Sequence, residues 1–84
     1  MNNKNWKTYN NIYTDPILAN LSWTDIESLL IALGATISEG NGSRARIELN
    51  GVRAVFHRPH KGCNTDKGAI KSLRKFLENA GIEL

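Results

Sequence analysis

Two segments of the chain carry apolar residues at helical spacing. The first follows Ser22, a residue type that caps helix N-termini, and its apolar positions are Ile26, Leu29, Leu30 and Leu33. Gly34 comes next, and glycine readily adopts the left-handed conformation that ends many helices. We therefore predict a helix that begins at Trp23 and ends before Gly34.

The second helical segment lies near the C-terminus. We predict Thr65 as its N-cap, with Asp66 favourably placed in the first turn and Gly81 as the stop. Its apolar stripe consists of Ala69, Ile70, Leu73, Phe76, Leu77 and Ala80. Basic residues are predicted to occupy the remaining surface, namely Lys67, Lys71, Arg74 and Lys75.

Between these helices the pattern changes to the alternation that is typical of strands. Residues 35–39 predict a short strand, residues 40–43 predict a glycine-rich turn, and residues 44–49 alternate strictly. Asn50-Gly51 then predicts a two-residue hairpin turn, because a type I′ turn requires positive φ at both central positions. The resulting register pairs Leu49 with Val52, Ile47 with Ala54 and Ala45 with Phe56 on the buried face, and Glu48 with Arg53, Arg46 with Val55 and Arg44 with His57 on the other face.

The first part of the chain has a weaker pattern. Trp6, Tyr9, Ile12 and Tyr13 fit one side of a short helix that ends before Asp15-Pro16. We treat residues 1–21 as an N-terminal extension whose helix packs on the core, and residues 22–84 as the main domain. For Trp6 and Trp23 we favour packing over an exposed stacking role.

The predicted fold class is α+β, with the order α-β-β-β-α preceded by an accessory helix. A three-stranded antiparallel sheet has both main helices on its apolar face. The same order is found in double-stranded-RNA-binding domains, which recognise RNA largely by shape. Fold alone does not assign function, so this similarity is only a guide.

Length and composition exclude several classes of protein. Eighty-four residues suffice for one small domain, and no apolar run approaches the length of a membrane span. The polar N-terminus has no signal-peptide pattern, and the single cysteine, Cys63, excludes an internal disulfide and a multi-cysteine zinc site. We therefore expect a cytoplasmic protein. Cys63 has no predicted base beside it other than His60, which makes a nucleophilic role weak.

Charge is strongly segregated along the chain. Residues 44–75 hold nine basic and two acidic residues, a net charge of +7, whereas the remaining residues carry −4. This asymmetry predicts a polyanionic partner, with nucleic acid as the first candidate. Two alternatives stay open: a solvated surface without a partner, and a protein-interaction domain that meets an acidic protein.

The chain contains no Walker loop, dinucleotide fingerprint or paired-cysteine metal motif. Its only imidazoles are His57 and His60. Metal-independent RNA cleavage needs proton carriers next to cations that hold phosphate, and His57 is flanked by arginines. His57 is therefore the candidate catalytic residue and His60 the candidate second proton carrier. A purely structural surface histidine is the alternative. The candidate phosphate-binding residues are Arg44, Arg46, Arg53, Arg58, Lys61, Lys67 and Lys71.

Several segments together carry a family resemblance. They are Asp25-Ile26-Glu27-Ser28-Leu29-Leu30, Leu33-Gly34-Ala35, Gly42-Ser43, Phe56-His57-Arg58-Pro59-His60 and the closing run from Lys67 to Ile82. Over about residues 22–82 the chain resembles HicA-type toxins of bacterial type II toxin-antitoxin systems. The resemblance implies a fold like that of double-stranded-RNA-binding domains and an mRNA interferase activity that needs neither translation nor a cofactor. It also implies a free monomer that forms a hetero-oligomer with a HicB-type antitoxin, which covers the active site.

The resemblance fails at one important position. The family's catalytic histidine usually follows the Gly-Ser of the turn, whereas Arg44 follows Gly42-Ser43 here. A guanidinium stays charged and does not exchange protons at neutral pH. Because the predicted register places His57 directly opposite Arg44, we hypothesise that His57 supplies the imidazole while Arg44 binds the scissile phosphate, assisted by Arg46, Arg53 and Arg58. The alternative is a related RNA-binding module that does not cleave.

Overall fold

The computed structural model describes residues 1–60 and 64–84. The elements are α1 (Asn3–Ile12), α2 (Trp23–Ala32), β1 (Thr36–Glu39), β2 (Arg44–Leu49), β3 (Val52–His57) and α3 (Lys67–Asn79). The strands form one antiparallel sheet in the order β1-β2-β3. The predicted α+β class, the α-β-β-β-α order and the accessory helix are confirmed. None of the helices in the described parts of the chain is long and apolar enough to cross a membrane.

The β2-β3 hairpin has the predicted turn and register. Asn50 and Gly51 have φ values of 51° and 81°, as a type I′ turn requires. Every predicted residue pair is present, from Leu49 opposite Val52 to Arg44 opposite His57. The side chain of Asn50 also donates from Nδ2 to the carbonyl oxygen of Ala80, at 2.8 Å. The turn therefore satisfies a carbonyl at the C-terminal end of α3 as well as joining two strands.

The core lies between the sheet and its helices. In β2 the residues Ala45, Ile47 and Leu49 are buried and alternate with exposed polar residues. Helix α2 contacts β1, helix α3 contacts β3, and α1 packs against both α2 and α3. The most deeply buried side chains are Ile12, Ile26, Leu29, Leu30, Ile47, Leu49, Ile70, Leu73 and Leu77. Every element except β1 thus contributes at least one buried hydrophobic residue. In β3 this residue is Phe56.

Two helix starts differ in detail from the prediction. The N-cap of α3 is Asp66 and not Thr65, because the carboxylate of Asp66 accepts a hydrogen bond from the backbone N–H of Ala69 at 2.7 Å. Thr65 is buried instead, and its backbone N–H donates to the carbonyl of Leu21 at 2.8 Å. Ser22 occupies the predicted N-cap position of α2, but its side chain makes no capping hydrogen bond within the described residues. The predicted helix start at Trp23 is therefore right, but the side chain of Ser22 does not cap it.

The N-terminal segment is tied to α3 by a basic residue. The predicted solvent position of Arg74 is wrong, because its guanidinium donates to the carbonyl oxygens of Ile12 and Thr14 at 2.7 and 2.8 Å and pairs with Asp15 at 3.2 Å. Its planar fork of N–H groups satisfies acceptors at and just beyond the end of α1.

The two tryptophans have different environments. The predicted packing of Trp23 is confirmed, whereas Trp6 remains exposed. Trp6 meets only the edge of Tyr9 among the aromatic rings described, at a centroid distance of 6.4 Å.

Candidate nucleic-acid interface

The side of the sheet that faces away from α2 and α3 is polar and exposed, and we call it the outer face. Strand alternation and register arrange its side chains in three rows across the sheet. The first row is Thr36, Glu48 and Arg53, the second is Ser38, Arg46 and Val55, and the third is Arg44 and His57. The outer face therefore gathers three of the predicted phosphate-binding arginines and the predicted catalytic histidine.

Arg44 and His57 are direct neighbours in the third row. The next pair along, Ser43 and Arg58, is joined by a backbone hydrogen bond of 2.9 Å from Arg58 N–H to Ser43 oxygen. Hydrogen-bonded and non-hydrogen-bonded pairs alternate in an antiparallel ladder, so Arg44 and His57 form a non-hydrogen-bonded pair, with Cα atoms about 4.5 Å apart. Both side chains are exposed. The geometry places an imidazole and a guanidinium within reach of one phosphate group.

Gly40 directly follows β1 and lies opposite Arg44 of β2, on the side of β2 that does not pair with β3. Its backbone N–H donates to the carbonyl oxygen of Arg44 at 2.9 Å. A Cβ atom at position 40 would lie 2.9 Å from the Cβ of Arg44, which is closer than real Cβ atoms approach. Glycine is therefore required here for space and not for an unusual φ. Its missing side chain leaves the β1 end of the third row open.

The first and second rows border a shallow groove of about 480 Å³. Arg53 and Glu48 form the predicted cross-strand ion pair, with 3.3 Å between Nε and Oε1. Arg46 stands between Ser38 and Val55 and makes no side-chain hydrogen bond or ion pair with any residue in the described ranges. Arg46 thus leaves its full charge available to a ligand, whereas Arg53 shares its charge with a carboxylate.

Arg58 is placed differently from the other predicted phosphate-binding arginines. Its guanidinium contacts Glu39 at the end of β1, at 2.6 Å, and Glu27 on α2, at 3.1 Å. These hydrogen bonds, first to Glu39 and then to Glu27, raise the pKa of Arg58 further above its usual range. Two carboxylates offset its charge, so the structure ties Arg58 to α2 and β1 and does not bring it to the outer face as a free cation.

We expect Arg58→Ala to lower the midpoint of thermal unfolding by more than Arg53→Ala does. The Arg58 side chain is 27% exposed and leaves two unpaired carboxylates when removed, whereas Arg53 is 82% exposed and its single pair is screened by solvent. Thermal unfolding followed by circular dichroism measures both midpoints. Equal midpoints for the two variants would show that the Arg58 ion pairs do not hold α2 to the sheet.

Two further predicted phosphate-binding residues, Lys67 and Lys71, are not on the outer face. Lys67 and Lys71 are exposed on α3, which packs on the opposite side of the sheet and contacts β3. His60 is exposed beyond the end of β3. Lys61 and Cys63 lie outside the described residues. Within residues 1–60 and 64–84, no three His, Cys, Asp or Glu side chains cluster as metal ligands would.

Sequence analysis did not assign Thr36 and Ser38 to the outer face, and it gave Val55 no role there. Thr36 and Ser38 join it because β1 pairs with β2 in a register that the 40–43 turn alone did not define. Val55 was assigned to this face, yet its exposure beside Arg46 had no assigned role. Continuing the alternation of β2 into β1 would have been the available signal for the two hydroxyl residues.

Comparison with known proteins identifies a family that the chain matches. No curated protein and no solved structure matches the chain. The model of the family described as "HicA toxin of bacterial toxin-antitoxin" matches residues 23–82 of the 84-residue chain. The match starts at the first residue of α2 and extends past the end of α3, so it includes the whole sheet. The chain therefore belongs to the HicA toxin family of bacterial toxin-antitoxin systems.

Proposed function

We propose that this HicA toxin is an endoribonuclease that cuts mRNA in the cytoplasm without a metal ion or other cofactor. The observation that carries the proposal is the exposed pair of His57 and Arg44 on adjacent strands of the outer face. An imidazole exchanges protons near neutral pH, and a guanidinium beside it stabilises the negative charge of a phosphate. Family membership supports the toxic role, and the site residues supply the chemistry.

The proposed reaction uses the 2′-hydroxyl of the RNA as the nucleophile. His57 accepts the proton of this hydroxyl while its oxygen forms a bond to the adjacent phosphorus, and the bond from phosphorus to the 5′-oxygen breaks. A proton carrier returns a proton to the departing 5′-oxygen, for which His60 is the candidate residue. Arg44 binds the non-bridging phosphate oxygens as charge develops on them. The products are a 2′,3′-cyclic phosphate and a 5′-hydroxyl.

The other basic residues are assigned to RNA binding by location. Arg46 and Arg53 on the outer face contact phosphates next to the cut, since they lie in the neighbouring rows. Lys67 and Lys71 lie on α3, on the opposite side of the sheet, so they contact only an RNA strand that passes around the sheet edge. Lys61 remains a candidate phosphate contact from its charge alone. Arg58 makes at most a secondary contact because Glu27 and Glu39 already bind it.

A HicB-type antitoxin is the proposed protein partner. The free toxin is a monomer in this proposal, and inhibition occurs in a hetero-oligomer in which the antitoxin covers the outer face. Arg46, which has no ion pair among residues 1–60 and 64–84, and the Arg44–His57 row favour an antitoxin surface that presents carboxylates. Such a surface excludes RNA by occupying the cations on which RNA binding depends.

The purified toxin is expected to cleave single-stranded RNA in the presence of EDTA. A His-based mechanism draws nothing from a metal ion, so chelation leaves the rate unchanged. Gel electrophoresis of end-labelled RNA measures the rate with and without EDTA. Cleavage that EDTA abolishes and added Mg²⁺ restores would contradict the proposal. Growth arrest on expression without the antitoxin gives the corresponding result in cells.

A second candidate function is RNA binding without cleavage. Arg44 favours it, because a permanently charged residue on the outer face binds phosphate without exchanging protons. In that case the wild type binds RNA with a strong dependence on salt and leaves it intact. A protein that binds an acidic partner but shows little affinity for RNA would instead be an interaction domain.

A further inference from the structure

The groove beside the Arg44–His57 row has an unusual lining for a solvent-exposed sheet face. Val55 is 56% exposed although it is β-branched and apolar, and its cross-strand partner is Arg46. At one end of the groove Glu48 forms an exposed ion pair with Arg53. The groove therefore combines an apolar platform, a guanidinium with no ion pair among the described residues, and a carboxylate, within about 480 Å³.

We propose that this groove binds one unpaired base of single-stranded RNA, next to the phosphate held by Arg44 and His57, and that it favours cytosine or adenine, which carry an amino group where uracil has a carbonyl oxygen. This inference rests on the proposed function, because it places the reacting phosphate at the third row of the same face. It adds a base-binding subsite and a basis for discrimination that cleavage itself does not require.

The spacing of the rows supports one nucleotide between the two positions. Adjacent rows are two residues apart along each strand, which corresponds to about 7 Å. This distance is comparable with the length of one extended nucleotide. With the phosphate at Arg44 and His57, the neighbouring base falls on the second row, where Arg46 and Val55 stand side by side.

The lining of the second row suits the face of a base. The methyl groups of Val55 present an apolar surface, and the planar guanidinium of Arg46 is able to stack on a heterocycle. A base in a duplex is already stacked on both faces and does not reach such a platform. The groove therefore selects single-stranded RNA over a duplex, in contrast to the shape recognition of double-stranded-RNA-binding domains.

Glu48 provides the discrimination between bases. An ionised carboxylate is only a hydrogen-bond acceptor, and Glu48 lies at the end of the groove, where its Oε1 is 3.3 Å from Nε of Arg53 in an exposed ion pair. The amino group of cytosine or adenine donates to a carboxylate, whereas uracil presents a carbonyl oxygen at the corresponding edge. A carboxylate facing that oxygen is repelled, so uracil is the disfavoured base.

Binding of 2′-deoxy strands separates this subsite from cleavage, since they lack the attacking hydroxyl. Fluorescence anisotropy of the wild-type toxin with labelled oligodeoxycytidine and oligodeoxyuridine of about eight nucleotides measures both affinities. We expect the cytidine strand to bind about tenfold more tightly, as one good base contact allows. In Glu48→Gln the difference falls to about twofold or less, because an amide both donates and accepts.

A second comparison tests the apolar platform. We expect Val55→Ser to weaken binding of the cytidine strand about fivefold, because it removes the apolar contact. The matched control is Ile31→Ser, which changes an equally exposed apolar residue on α2 and leaves binding unchanged. A duplex competitor of the same length competes poorly if the platform takes an unpaired base.

Several results would overturn the base subsite. Equal binding of the two wild-type complexes, equal effects of Val55→Ser and Ile31→Ser, or equal competition by duplex and single strand each contradict it. Failure to bind any of the oligonucleotides would also overturn it, and would favour a protein partner as the ligand of the groove. If discrimination is present but RNA stays intact in the cleavage assay, the proposed function fails while the subsite stands.

Discussion

His57→Ala is expected to lower the rate of RNA cleavage by about 100- to 10,000-fold, the range that a positioned proton carrier contributes. The loss is a loss of proton transfer, because Arg44 and Arg46 remain to bind phosphate on the outer face. RNA affinity is therefore expected to change by less than about threefold, since the arginines of the outer face supply most of the phosphate contacts there. Single-turnover cleavage at saturating toxin measures the rate, and anisotropy measures the affinity.

Two controls make the His57 result interpretable. Circular dichroism must show that His57→Ala is folded, which is expected because His57 is exposed at the end of β3. Arg44→Ala is the informative companion, because it removes a phosphate contact and should lower both affinity and rate. If folded His57→Ala cuts RNA as fast as the wild type, His57 has only a structural role, and His60 becomes the residue to test.

Ile12→Ala is expected to lower the free energy of unfolding by about 2–4 kcal/mol, as large-to-small changes in a packed core do. Ile12 is fully buried although it lies in α1, outside the region that matches the family. The reason for the large effect is the cavity that truncation leaves beneath α2 and α3, both of which α1 contacts. Urea denaturation followed by circular dichroism gives the free energy and its m-value.

The control for this prediction is Ile31→Ala, which makes the same chemical change at a side chain that is 61% exposed. A surface change of this kind usually costs less than about 0.5 kcal/mol. If the two variants lose the same stability, α1 does not contribute to the cooperative core. In that case residues 1–22 would be a docked segment on a domain that folds without them.

The hairpin shows what a single sequence predicts well. Asn50-Gly51 sets a two-residue turn by local backbone preference, and strand alternation then assigns each side chain to a face. The position of His57 opposite Arg44 follows from these two local rules. This central feature of the candidate site was therefore predictable without knowledge of the rest of the fold.

Long-range polar contacts were beyond such reasoning. Arg58 donates a hydrogen bond to Glu27, which is 31 residues away in the sequence, and Arg74 donates to the carbonyl oxygen of Ile12, which is 62 residues away. Both arginines looked like members of one basic surface because charge alone does not identify a partner. The N-cap of α3 was missed for a local reason, since Thr65 and Asp66 are both suitable capping types in adjacent positions.

The distribution of the basic residues was only partly predictable. Along the chain they form one cluster, but the sheet separates them into outer-face arginines and α3 lysines. Pattern analysis predicted that helices cover one face of the sheet. That prediction already implies that Lys67 and Lys71 lie on the opposite side of the sheet from Arg44, although the charge along the chain groups them together.

Gly40 is a position at which we expect inactivating mutations to be selected when the toxin gene is expressed without its antitoxin. Cells that produce an active toxin without its antitoxin survive only when a mutation disables the toxin. Any side chain at position 40 must displace Arg44, because its Cβ would lie 2.9 Å from that of Arg44. An uncharged substitution preserves the core, the net charge and His57, yet it moves Arg44 out of line with the imidazole. Survivors with a substitution at Gly40 would therefore carry an intact set of chemical groups and an inactive protein.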